Sequence, residues 1–110
     1  MIKQVESYWC KIYIAGDYQE IKTLCRQFCF DFPFCVTITP TTYIYQGGAE
    51  DGAEIGIISY AKFPKLKKQL FDIASELAGK IMERESQWSY TILTPSKSVW
   101  FSRRIDAINA

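Results

Sequence analysis

The hydrophobic pattern of this chain predicts an α+β fold in which two helices lie on one face of an antiparallel sheet. Three observations lead there. Apolar residues alternate with period two, switch to a helical period, and switch back, twice over; turn residues separate the segments; and the composition is that of one globular domain. The 110 residues are 48% hydrophobic and 15% aromatic, and 13 basic side chains face 12 acidic ones for a net charge of +1. A chain of this size forms one core across residues 1–110, is too apolar and too weakly charged for disorder, and contains no run near the ~20 apolar residues of a membrane span.

Ser7 to Ala15 alternate, with Tyr8, Cys10, Ile12 and Ile14 on one side and Trp9, Lys11, Tyr13 and Ala15 on the other, which predicts a first strand. Gly16 breaks it. Asp17 stands at the N-cap of a helix, with Glu20 three positions on as an acidic capping box, and Ile21, Leu24, Cys25 and Phe28 form the buried stripe. Pro33 ends that helix. Phe34 to Thr39 begin a second strand, which Pro40 interrupts before Tyr43 to Tyr45 resume it, implying an edge position or a bulge. Gly47 to Gly52 have turn composition throughout, and Ala53 to Ala61 read as a third strand in a hairpin with the second. Its faces are ambiguous, because Ile55 and Ile57 point one way and Ile58 and Tyr60 the other.

Pro64 sits at or just before the start of a second helix, whose apolar stripe runs from Leu66 through Leu70, Ile73, Ala74, Leu77, Ala78 and Ile81 to Met82. Lys65, Lys67 and Lys68 crowd its amino end, against the macrodipole. They read either as a solubilising face or as an anion site. Trp88 to Leu93 form a fourth strand and Thr94 to Lys97 a turn. Ser98 to Arg103 then add a hairpin strand or continue the fourth after a bend, and Ile105 to Ala110 fray. Two split strand-helix-strand units with right-handed crossovers give the ferredoxin-like sandwich, a fold that hosts many unrelated functions.

Function is constrained more by absences. The chain has no histidine, the usual acid, base and metal ligand near neutral pH, so an enzymatic role is not expected and no catalytic residue is assigned. Cys10, Cys25, Cys29 and Cys35 lack the loop-knuckle spacing of zinc sites and read as small buried hydrophobes, so neither a metal nor a cofactor is expected. The amino end has no signal-peptide pattern, which with the free thiols implies a reducing cytoplasm, and an isoelectric point of 7.6 argues against nucleic acid.

The sheet face away from the helices would carry Trp9 and Tyr13, with Trp100 and Tyr45 as further contributors, more apolar surface than a monomer leaves bare. Glu50 and Asp51 are expected at an exposed hairpin tip, and Arg103 and Arg104 at a strand end where guanidinium forks grip an acidic surface. These eight residues are the candidate partner-binding set, serving a protein partner or a second copy of the chain. The alternatives are a small-ligand or nucleotide pocket at the sheet face of a dimer and a weak RNA or single-stranded DNA binder.

Two resemblances bear on these readings. Lys11-Ile12-Tyr13-Ile14-Ala15-Gly16 resembles the first-strand motif of RNA-recognition domains, which implies a base-stacking Tyr13. The third strand departs from that family, with Ile where rings should stack. Tyr8-Trp9-Cys10, Ile14-Ala15-Gly16-Asp17, Cys35-Val36-Thr37, Tyr45-Gln46-Gly47-Gly48 and Ile57 to Pro64 resemble small bacteriophage and prophage proteins, whose motifs are diagnostic of no reaction. This second resemblance implies an accessory protein of the infected bacterium's cytoplasm that works by binding, for example by blocking a host defence factor.

Overall fold

The computed structural model describes residues 1–32 and 35–104. The expected frayed end at Ile105 to Ala110, and the question whether it folds back over the sheet, fall outside the described residues. So do Pro33 and Phe34, where the second strand was expected to begin.

The chain runs β1 (Trp9–Ala15), α1 (Tyr18–Asp31), β2 (Thr37–Tyr45), β3 (Gly48–Ile58), α2 (Lys67–Arg84), β4 (Ser89–Leu93) and β5 (Ser98–Ser102). The strands form one sheet in the order β2-β3-β1-β4-β5, with antiparallel pairing throughout. This is the expected ferredoxin-like arrangement with the terminal strand added as a hairpin on β4. Both split units pack their helices on the same side because their inward residues demand it. Cys10, Ile12 and Ile14 of β1, Ala53, Ile55 and Ile57 of β3 and Ile92 of β4 are buried against Ile21, Cys25 and Phe28 of α1 and against Leu70, Ala74, Leu77, Ala78 and Ile81 of α2. Truncating any one of the larger of these to Ala would cost about 2–5 kcal/mol.

Local chemistry differs from expectation at the β2–β3 turn and at the cap of α1. The turn between β2 and β3 is only Gln46 and Gly47, with Gly47 at φ 88°, and β3 starts at Gly48. Glu50 and Asp51 are therefore paired strand residues and not a loop tip, opposite Tyr43 and Thr42. Of the two expectations for Pro40, the edge position holds and the bulge does not. Pro40 sits in unbroken register opposite Ala53 on the edge strand, where its missing N–H costs no ladder bond.

The capping box of α1 is also built differently. Asp17 Oδ1 accepts the Glu20 N–H at 2.9 Å as expected, but the reciprocal acceptor for the Asp17 N–H is Glu85 Oε1, at 2.6 Å. The third-strand ambiguity resolves cleanly: Ala53, Ile55 and Ile57 face the helices, and Ile58 faces away at 48% exposure. Among the described residues no helix is long and apolar enough to cross a membrane.

Candidate functional site

The register defines what the open face carries. Tyr13 lies between Glu54 on β3 and Thr91 on β4, Thr91 pairs with Trp100 on β5, and Glu54 pairs with Thr39 on β2, so one row crosses all five strands. The same face of β3 reads Gly48, Glu50, Gly52, Glu54 and Gly56, glycine alternating with glutamate. The glycines make a low floor on which neighbouring side chains lie flat. A Cβ on Gly48 would stand 3.1 Å from the Tyr45 ring, and one on Gly52 would stand 2.9 Å from the Tyr43 ring and 2.2 Å from the Ile14 carbonyl.

The result is a cleft of about 270 Å³ at one end of the sheet, walled by Tyr13, Tyr43, Tyr45, Glu50, Ser89 and Thr91. The Tyr43 hydroxyl is fixed inside the sheet: it donates to the Ala53 carbonyl at 2.6 Å and accepts the Ile14 N–H at 3.2 Å, bridging β1 and β3. Burial pushes that phenol up to about 12, so it stays a neutral hydrogen-bonding group. The Tyr45 hydroxyl donates to Glu50 Oε1 at 3.0 Å, and losing the phenol proton beside that carboxylate is disfavoured, which raises Tyr45 as well. Glu54 is paired with Lys11 at 3.5 Å, whereas Glu50 has no cationic partner among the described residues. The cleft thus offers aromatic faces and one uncompensated carboxylate, a setting suited to a flat, positively charged small molecule.

The expected partner-binding residues separate in space. Tyr13, Tyr45 and Glu50 meet in the cleft, and Trp100, 52% exposed, extends its face across β4 to β5. Trp9 is on the same face but at the opposite end of β1, beneath the Lys11 ammonium at 5.6 Å. Asp51 points to the other face and accepts from Thr42 Oγ1 at 3.2 Å. Arg103 is a structural clamp: Nε donates to the Gln87 carbonyl at 2.8 Å, Nη2 donates to the same oxygen and to the Met82 carbonyl, and the guanidinium stacks on Trp88. Arg104 covers the same ring at 4.9 Å. Glu54, Ser89 and Thr91 were not singled out from the sequence; the spacing of Glu50 and Glu54 between glycines was the available signal.

The thiols offer no competing nucleophile in the core. Burial pushes Cys25 up to about 12 and raises Cys10 and Cys29.

No protein-family model matches the chain, and no curated protein does. Solved structures do. A phage SAM lyase in its apo state superposes with a TM-score of 0.77 at 10% identity, covering 94% of this chain and 97% of that one. A phage SAM lyase in complex with S-methyl-5'-thioadenosine superposes with a TM-score of 0.69, again at 10% identity, over 93% and 95%. At that identity the likeness establishes a shared fold, and both neighbours are phage proteins.

The same comparison corrects the expectation of a non-enzymatic interaction module or inhibitor: the solved structures that share this fold over nearly the whole of both chains are lyases. The expectation failed because it took the lack of histidine as an argument against catalysis and read every exposed ring as a protein footprint. The rings at Tyr13, Tyr43 and Tyr45 instead border a concave cleft.

Proposed function

We propose that this chain is a small-molecule enzyme of the SAM lyase type, which binds the adenosyl sulfonium SAM on its open sheet face and releases S-methyl-5'-thioadenosine. The observation that carries the proposal is the likeness to a lyase holding that thionucleoside, together with a cleft of tyrosine rings and an unpaired glutamate. Both neighbours come from phages, which with the sequence resemblance supports a phage origin and action in the bacterial cytoplasm.

The chemistry suits a chain without histidine. The sulfonium is its own leaving group: the carbon–sulfur bond breaks with its electron pair moving to sulfur, and the thioether departs neutral and needs no acid. The substrate's own carboxylate closes onto the carbon that loses sulfur, a carbon–oxygen bond forming as the carbon–sulfur bond breaks, so the four-carbon remainder leaves as a lactone and no external water, acid or base is consumed. The protein's part is to hold a reactive conformer and exclude water. Tyr13 and Tyr45 supply ring faces for adenine and for the sulfonium. Glu50 accepts hydroxyl or ammonium donors of the substrate. Too close a pairing of Glu50 with the sulfonium would favour the ground state, because that charge is lost at the transition state.

A cleft of about 270 Å³ open on one side is small for a ligand that enzymes normally bury by 70% or more. A second copy of the chain, seated on the exposed Trp100 ring of the same face, would supply the missing wall. The test is incubation of purified protein with SAM and chromatographic detection of thionucleoside. Formation of S-methyl-5'-thioadenosine, reduced at least about tenfold in Glu50→Gln, supports the reading; intact SAM at stoichiometric enzyme after prolonged incubation refutes it.

A further inference from the structure

The lysines at the start of α2 have a partner element that sequence order conceals. The β4–β5 turn carries Lys97 to the same place, and the two elements enclose a groove of about 380 Å³ walled by Tyr8, Lys67, Lys68, Phe71, Ser96 and Lys97. The turn is held rigidly: Thr94 Oγ1 donates to the Lys97 carbonyl at 3.1 Å and accepts the N–H groups of Ser96 and Lys97 at 3.3 and 3.1 Å. Lys67 rests its ammonium over the Tyr8 ring at 5.9 Å and Lys97 over the Phe71 ring at 5.3 Å, so both are seated on the groove walls.

Charge in the groove is not neutralised locally. Lys68 is paired with Asp72 at 2.9 Å, while Lys67 and Lys97 have no carboxylate partner among the described residues, and no acidic residue lines the groove. Clustered ammonium groups at the amino end of a helix oppose its macrodipole at a few tenths of a kcal/mol each, and Lys67 and Lys97 are held in place by ring contacts that leave their charge unneutralised.

We propose that this groove is a binding site for a small phosphate-bearing anion of two or more charges. It is distinct from the open-face cleft, which lies at the other end of β1. Two ammonium groups converging from separate elements suit a diphosphate better than a monoanion, and the pocket's confined extent suits a small ligand better than a nucleic-acid track.

The test is amide chemical-shift mapping of the full chain titrated with pyrophosphate, with chloride at matched ionic strength as the comparison. The expected result is saturable shifts confined to residues 66–71 and 95–97, with apparent affinity weakened about tenfold or more in a Lys67→Gln/Lys97→Gln variant and unchanged in Lys22→Gln on α1. Both substituted lysines in the groove are exposed, so the fold survives the change, and an unaltered remainder of the spectrum verifies it. Shifts scattered over all lysines without saturation, equal binding by the double variant, or equal effects of chloride would overturn the assignment.

Discussion

Glu85, just past the end of α2, accepts the backbone N–H of Asp17 at 2.6 Å across 68 positions of sequence, and so completes the amino-terminal cap of α1. The other oxygen of the same carboxylate is shut off from water with no hydrogen-bond partner. One side chain thereby ties the two helices together at the expense of a poorly solvated charge.

That charge predicts a pH dependence. Burial pushes the Glu85 carboxyl above its ordinary 4.5, and the nearby Glu20 and Asp17 charges add to the effect while the Asp17 amide opposes it. Because the folded value is the higher one, the native state holds the proton more tightly. The stabilisation is full below the unfolded value of 4.5 and is lost as pH rises through the folded value. Glu85→Gln keeps an acceptor and carries no charge, so its stability relative to the wild type rises as the pH is raised from 4.5. Glu85→Ala also lacks the charge but loses the cap, so it follows the same pH trend about 1 kcal/mol below Glu85→Gln. Urea unfolding at acidic and neutral pH distinguishes the two.

Tyr43→Phe removes one donor and one acceptor from the β1–β3 seam and leaves the Ala53 carbonyl and Ile14 amide without their bridge. The expected loss is about 1–3 kcal/mol. With a phenol raised from 10.0 to about 12, the wild-type advantage is complete below the lower value and disappears as pH climbs through the higher. Stability curves of the two proteins should therefore converge in strong alkali, and parallel curves would contradict the bridge.

Two glycines respond oppositely to alanine. At Gly52 the new methyl would meet the Ile14 carbonyl at 2.2 Å, a backbone atom that cannot swing aside, and unfolding free energy should fall by about 3 kcal/mol or more. At Gly79 in α2 it meets nothing within 4 Å, and the helix should gain about 0.5–1 kcal/mol. Thermal melts of the pair check both signs.

For turnover, Tyr45→Phe frees Glu50 from its phenol at 3.0 Å and should lower kcat/KM by about threefold to tenfold, less than Glu50→Gln. Trp100→Ala, on the same face but outside the cleft, should reduce activity only to the extent that it shifts the molecular mass in solution. Activity lost with mass unchanged would place Trp100 in contact with the ligand.

The strand and helix order was legible because each element's apolar period matches its layer: Cys10, Ile12 and Ile14 could only be one face of a strand, and Leu70 to Ile81 only a helix stripe. What escaped were features that depend on partners far away in sequence. Glu85 at Asp17 and Arg103 on the last turn of α2 satisfy backbone groups that no local pattern connects to them. The run from Gly48 to Gly52 looked like a loop by composition, yet its glycines are strand residues whose bare faces admit the Tyr43 and Tyr45 rings. The cleft was hidden by that error, since reading Glu50 at a loop tip separated it from Tyr45 and Tyr13.

The location of the ligand is tested most directly by amide chemical-shift mapping with S-methyl-5'-thioadenosine. The account predicts saturable shifts at residues 13–15, 43–45, 50–54 and 89–91. Shifts confined to the α2 end of the molecule, or none at saturating thionucleoside, would contradict it.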